Sequence, residues 1–291
     1  MAERMSATIS SIFIYPIKSC RGISVPRAPL SPTGLKWDRQ WLVVNSKGRA
    51  YTQRVEPKLA LVQVELPNEA LDEDWVPRQT SYMVLRAPGM EALKVSLSKP
   101  CKAVDGISCW EWSGSALDEG PEASEWFSQF LGNPTRLVRF NAGCTWKALF
   151  LLMNSLPVFD VFLSNVKSSK SGAVFVFISF LVNGCKPFSE DLWTEIKINK
   201  LTFHGVKLCS RCKVPTINQE NGIVGSEPSD ALMKFRSDKV LRPNGKQQGK
   251  VYFGQNLVCK DSLTGGKGKI IRVGDPVFVV KQVHSPAEAA A

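Results

Sequence analysis

Glu195-Ile196-Lys197-Ile198, Asn199-Lys200, Leu201-Thr202-Phe203: two short runs rich in apolar residues meet across a two-residue turn, and Cys209-Ser210-Arg211-Cys212 comes a few positions on. The runs read as strands and the pair between them as their connection. More short runs of the same kind lie downstream. Val251 to Cys259 is one, and Ile270 to Val273 and Val277 to Val283 are linked across Gly274-Asp275-Pro276. Short strands separated by frequent turns favour a barrel or a sandwich. A short helix is expected from about Ser229 to Arg236.

The cysteine pair is flanked by Lys207 and Lys213 and lies between β-like runs. A closed tetrahedral zinc site needs four soft or nitrogen ligands. Here the only histidines are His204 and His284, and the other cysteines are scattered singly. A thioredoxin-type motif would open a helix whose N-terminus lowers the thiol pKa. Cys212 leads instead into Lys213-Val214-Pro215-Thr216-Ile217 and then Asn218-Gln219-Glu220-Asn221-Gly222, a stretch that reads as a strand and a turn. Two readings remain: a thiolate that does chemistry, or two cysteines packed in a β core.

The N-terminal half is also β-rich. Ile9 to Ile14 ends at Pro16, and Trp41 to Asn45, Leu59 to Leu66, Tyr82 to Leu85 and Leu93 to Leu97 come next between Pro, Gly and Asn turns. One helix is well signalled, with Pro121 near its start, Trp126, Phe127, Phe130 and Leu131 on one face, and Gly132 closing it. Neither an internal repeat nor a linker long enough to separate independent domains is visible.

At 291 residues, 44% hydrophobic and 22% charged, the chain can bury one large core or two smaller ones. Eight irregularly spaced cysteines, with no signal-peptide pattern from Met1 to Ser10, point to a reducing compartment and free thiols. The net charge of +11 asks for an anionic partner or a solubilising explanation. The basic residues are dispersed, without a long Lys/Arg run or the aromatic-interleaved signature of an RNA-binding sheet, so no nucleic acid is expected. A small phosphorylated cofactor suits isolated basic residues better.

The run Ile14-Tyr15-Pro16-Ile17-Lys18-Ser19-Cys20-Arg21-Gly22, then Trp37-Asp38-Arg39-Gln40-Trp41-Leu42-Val43-Val44, resembles the N-terminal β-barrel domain of many MOSC proteins. Leu208-Cys209-Ser210-Arg211-Cys212, Phe253-Gly254-Gln255-Asn256 and Val273-Gly274-Asp275 resemble the MOSC domain itself. Together they are similar to the amidoxime-reducing component branch of that family. The resemblance implies a mainly β fold with a few helices: an N-terminal MOSC β-barrel domain over residues 1–141 and a C-terminal MOSC β-barrel domain over 183–291, with an atypical segment, 142–182, between them.

It also implies a molybdenum pterin cofactor (Mo-molybdopterin). By that resemblance Cys212 is the metal ligand and catalytic thiolate, a soft ligand suited to the metal, and Cys209 is a packing or supporting residue. Cofactor contacts fall on Lys18, Ser19 and Arg39, whose cations and hydroxyl suit a pterin phosphate. Ser210 and Arg211 adjoin the ligand, and Asn256 stands where some relatives place a tyrosine.

The implied reaction is two-electron reduction of a small N-hydroxylated substrate, with electrons from a b-type cytochrome and its NADH-dependent reductase. The alternatives are a sulfur-carrier or sulfurase-like MOSC protein and a non-catalytic variant with impaired cofactor binding. The expected location is intracellular, with mitochondria as one candidate compartment.

One segment departs from the family. Relatives carry a longer stretch between Asn141 and Asn183, with an Arg-Pro-Asn sequence before the strand that ends in Gly-Cys. Here Ala173-Val174-Phe175-Val176-Phe177-Ile178-Ser179-Phe180-Leu181-Val182 precedes Gly184-Cys185, and the chain's Arg242-Pro243-Asn244 lies in a downstream turn. An arginine and an asparagine that help hold the cofactor in the family are therefore missing. Ala148 to Leu163 is interrupted by Asn154, Pro157 and Asp160, and Ala173 to Val182 is short, so no transmembrane anchor is expected. The second run has the profile of a buried strand. An alternative coding segment in an otherwise ordinary family member is the reading these features suggest.

Overall fold

The computed structural model describes residues 5–98, 102–110, 112–140, 158–163, 179–263 and 267–289. The hairpin expected at 195–203 forms from strands Trp193–Ile198 and Leu201–Arg211. Asn199 takes φ 53° at the turn, a left-handed conformation that Asn tolerates better than most residues. Ile196 pairs with Phe203 and Ile198 with Leu201. Ile196, Ile198 and Phe203 are fully buried, while Glu195 and Lys197 between them are half-exposed. That alternation is the period-2 pattern of a strand with one face on a core.

The hairpin lies at the middle of an eight-stranded sheet. Its order is Phe180–Asn183, Val158–Leu163, Val251–Cys259, Leu201–Arg211, Trp193–Ile198, Pro276–Gln282, Met5–Ile14 and Ile23–Val25. Met5–Ile14 also pairs with Phe180–Asn183, so seven of these strands form a closed ring, with Ile23–Val25 attached outside it. Closure removes the unpaired edges that an open sheet would present. The N-terminal strand pairs in turn with Pro276–Gln282, Phe180–Asn183 and Ile23–Val25, and its register shifts between Ile9 and Ser11, a bulge that re-aims the chain. The barrel of the C-terminal half is thus completed by the first strand of the protein.

The N-terminal half adds a four-stranded sheet ordered Trp41–Asn45, Thr135–Phe140, Trp112–Asp118 and Lys102–Cys109. The helix Pro121–Leu131 ends at Gly132 with φ 74°, a left-handed cap that glycine adopts without steric cost. Its Trp126, Phe127 and Leu131 are buried. Gln63–Glu65, Tyr82–Arg86 and Leu93–Ser96 form one three-stranded sheet, and Ile270–Arg272, Arg27–Ser31 and Gly34–Leu35 another. A single apolar cluster runs through both halves, from Trp41, Leu59 and Phe127 to Phe180, Ile196 and Phe203.

Two sequence expectations need correction. Leu59 to Leu66 is not one strand: a 3-10 turn, Pro57–Leu61, precedes the strand Gln63–Glu65. Pro57 presets the first turn, and Glu56 caps it by accepting a hydrogen bond from Lys58 N. The strand begun at Leu201 runs through to Arg211 and takes in most of the cysteine motif. Beyond Cys212 the chain makes a 3-10 turn, Val214–Thr216, where Pro215 has no N–H to give a ladder. The helix Ser229–Arg236 has the expected bounds.

Of the atypical segment, the strand Val158–Leu163 and residues 179–182 are described. Val158–Leu163 runs parallel to Phe180–Asn183 and antiparallel to Val251–Cys259. Phe180 and Val182 are fully buried, as a strand at a barrel seam requires. The rest of 142–178 lies outside the described residues.

Candidate cofactor site

Two N-terminal motifs are zipped together by backbone bonds. Tyr15 N donates to Asp38 Oδ1 at 2.7 Å. Arg39 N donates to the Tyr15 carbonyl at 2.7 Å, Trp41 N to that of Pro16 at 3.0 Å, and Lys18 N to that of Trp41 at 2.8 Å. Ser19 and Arg39 both adopt positive φ, 69° and 50°. For non-glycine residues that conformation costs energy and is kept only where the surroundings impose it. The Arg39 guanidinium pairs with Asp38 and stands 5.1 Å from the Tyr15 ring centroid.

The Lys18 ammonium is the hub. Burial pushes its pKa below the usual lysine value; the Cys109 thiol opposes this, the guanidiniums of Arg39 and Arg54 reinforce it, and Cys212 opposes it. Loop 15–22, Arg39, and the exposed thiol of Cys212 at the end of Leu201–Arg211 therefore share one neighbourhood. The lysine Nζ also lies 4.2 Å from the Trp110 ring centroid. No carboxylate is paired with the Lys18 ammonium among the described residues. A shielded cation with cations beside it favours an anionic ligand.

Ser19 is buried, and its carbonyl accepts from Gln53 Nε2 at 2.8 Å. Gln53 in turn exchanges side-chain hydrogen bonds with Gln219, both 3.0 Å. Gln219 belongs to the loop beyond Cys212, so this amide pair ties the N-terminal motif to the cysteine end of the barrel.

Arg211 points into a different cluster. Its Nε donates to the Phe253 carbonyl at 2.7 Å, and its charge acts on Glu190. Glu190 and Asp191 are buried on the 3-10 turn Ser189–Leu192. Arg236 donates to Asp191 Oδ2 at 2.5 Å and to the Tyr252 carbonyl at 3.1 Å, with its guanidinium 4.4 Å from the Phe188 ring centroid. Burial, then repulsion from Asp191, pushes the Glu190 carboxyl up to about 8, with Arg236 and Arg211 pulling the other way.

Ser210 is exposed and faces Tyr252 across the ladder. Asn256 pairs in register with Lys207, four residues farther along its strand than Tyr252, or about 13 Å at normal strand rise. It is buried, and its Oδ1 has no hydrogen-bond partner among the described residues. The structure thus brings the loop of Lys18, with Arg39 and Ser19, to the cysteine end of the barrel, where Ser210 stands two positions before Cys212. It points Arg211 toward Glu190 and sets Asn256 apart along the barrel wall. Gln53, Gln219, Arg54 and Trp110 were not found from the sequence. Only Trp110, a tryptophan one residue from Trp112 and beyond a strand, carried a visible signal.

Among the described residues no group of three or more His, Cys, Asp or Glu side chains could hold a metal ion, and the six cysteines there are free. The fold and site define a mainly β protein in which a closed barrel presents a thiol beside converging cations. The chain belongs to the MOSC family: the MOSC N-terminal beta barrel domain matches residues 6–134 and the MOSC domain residues 176–278.

It is similar to the mitochondrial amidoxime-reducing component 1 of Xenopus laevis, 30% identical, over 94% of this chain and 82% of that protein. It is also similar to component 2 of Rattus norvegicus, 29% identical, over 93% and 82%. The molybdenum cofactor sulfurase of Bos taurus is 28% identical over 81% of this chain, which corresponds to 29% of the sulfurase. No helix among the described residues is long and apolar enough to cross a membrane.

Proposed function

We propose that this chain is a molybdenum-cofactor-dependent reductase of N-hydroxylated compounds. The observation that carries the reading is the tie between the loop of Lys18 and Ser19 and the cysteine end of the barrel, where Gln53 bonds both the Ser19 carbonyl and Gln219 beyond the exposed Cys212. Similarity to amidoxime-reducing components over most of both chains supports it. The donor set fits the group: one soft thiolate for the metal and cations for the phosphate.

In this reading Cys212 is the protein's ligand to the metal. Lys18, Ser19 and Arg39 hold the pterin and its phosphate from the N-terminal side and Ser210 from the barrel side, whereas Arg211, turned toward Glu190, and Asn256, set apart along the barrel wall, stand away from that group. Residues 1–141 and 183–291 form the two family domains, and 142–182 stands in place of the family's usual sequence. The bound cofactor would supply the two-electron redox couple. The substrate N–O bond breaks, two electrons and two protons are taken up, and water leaves with the N–H product. The protein's own part is to fix the cofactor, keep Lys18 facing the anionic end, and receive the substrate. The electrons come from a b-type cytochrome and its NADH-dependent reductase, and the compartment is mitochondrial, as the names of the two amidoxime-reducing components say of those proteins.

The test is NADH oxidation with benzamidoxime, the cytochrome, its reductase and this protein, loaded in a host that makes the cofactor. Turnover that requires this chain and disappears in Cys212→Ala is expected. A metal-loaded protein that turns over no N-hydroxylated compound overturns the reading. A second reading, sulfur transfer to the cofactor through Cys212, draws on the similarity to the sulfurases over 81% of this chain. It predicts a persulfide on Cys212 and no turnover with the electron donors.

A further inference from the structure

We propose that Trp110 and Arg54 form the substrate-facing lip of this site and select flat, π-rich N-hydroxylated compounds that carry a negative charge; the inference rests on the cofactor reading above. Trp110 is 72% exposed, against 48% for Phe235, the next most exposed aromatic ring among the described residues. Its backbone takes φ 57°, costly for a bulky side chain and the kind of strain that gathers at ligand sites. A ring so exposed adds little to the core, yet the fold holds it in place.

Charge holds it there. Lys18 Nζ lies 4.2 Å and Arg54 Cζ 5.7 Å from the ring centroid, distances at which a cation is attracted to an indole. Lys18 precedes Ser19, whose carbonyl is held by Gln53, the neighbour of Arg54, and Gln53 bonds Gln219 of the loop beyond Cys212, so Trp110 packs on the loop that is tied to the cysteine end of the barrel. Arg54 is exposed and has no acidic partner among the described residues. Of the three cations here, Arg39 alone is offset, by Asp38. With Lys18 and Arg39 given to the cofactor phosphate, Arg54 is the cation left to draw an anionic substrate toward the ring, and an indole with a guanidinium beside it matches an aromatic ring bearing a carboxylate.

The test compares KM for benzamidoxime, 4-carboxybenzamidoxime and acetamidoxime in the loaded enzyme, with molybdenum per chain measured for each variant. The wild type is expected to prefer the carboxylated compound in KM by about fivefold, the scale of a partly exposed charge-assisted contact. Arg54→Gln should erase that preference by raising the KM of the carboxylated compound. Trp110→Ala should raise KM for both aromatic compounds more than for acetamidoxime, and Trp110→Phe should restore most of the loss.

A carboxylate preference that survives Arg54→Gln, or an equal rise for all three compounds in Trp110→Ala, overturns the proposal. A wild type without molybdenum would sink the cofactor reading separately. Calorimetric titration with 4-carboxybenzamidoxime then decides: weaker binding in Arg54→Gln sustains the site, and equal or absent binding overturns it.

Discussion

Gln53 and Gln219, 166 positions apart in the chain, exchange hydrogen bonds between buried side-chain amides, each 3.0 Å long. Through the bond from Gln53 to the Ser19 carbonyl, this pair locks the loop that carries Lys18 to the loop beyond Cys212. Everything proposed for the site depends on those two loops keeping their distance.

Gln53→Ala should lower stability by about 2 kcal/mol, because it strands the Gln219 amide and the Ser19 carbonyl in a buried place. Gln219→Ala should cost about as much. The double variant should cost clearly less than the sum of the two, since each single change already breaks the shared bonds. Urea denaturation of the three variants measures this, and strict additivity would contradict the pairing.

Gly205→Ala should destabilise the barrel by about 2 kcal/mol or more through overpacking. A Cβ there would lie 2.1 Å from the Trp193 carbonyl oxygen and 2.8 Å from Gln255 Nε2. The first contact is backbone inside a paired ladder and cannot swing away. Thermal unfolding by circular dichroism should show a clear drop in Tm, and an unchanged Tm would mean that the strands are farther apart here.

Arg236→Met should cost about 3–5 kcal/mol, because it leaves Asp191 buried without its partner and beside Glu190. Adding Asp191→Leu to Arg236→Met should recover a large part of that loss. Chemical denaturation of both variants provides the comparison.

Glu190 predicts a specific pH dependence. Its carboxyl is raised from 4.5 to about 8 by burial and by Asp191, so the folded state holds a proton that the unfolded chain releases. Stability should therefore fall as pH rises from about 4.5 to 8, with the loss complete above the folded value. Glu190→Gln removes this group from the balance. The variant should gain on the wild type by about 2 kcal/mol between pH 6 and pH 9, as read from denaturation midpoints. A constant difference across that range would contradict a proton held on Glu190.

The sequence was most readable where local rules and packing agree. Asn199-Lys200 between alternating runs, Gly132 after an amphipathic stretch, and Ser229–Arg236 all became the expected elements. The closure of the barrel by Met5–Ile14 against Phe180–Asn183 could not be read, because a strand's periodicity says which face is apolar and not which distant strand it joins. Leu59 to Leu66 misled because its apolar run hides a proline-started turn. Lys18, Arg39 and Cys212 were legible as motifs, and the structure gathers them. Gln53 with Gln219, and Trp110 with Arg54, are pairings of common residues far apart in the chain, and single-sequence spacing carries no trace of such contacts.

The central claim is that this chain holds a molybdenum cofactor through Cys212. Elemental analysis of protein expressed in a host that makes the cofactor tests it most directly, with Cys212→Ala measured in parallel. Close to one molybdenum per wild-type chain and near none in the variant is the expected result. Wild-type protein that is folded yet metal-free, or a variant that keeps its molybdenum, would contradict it.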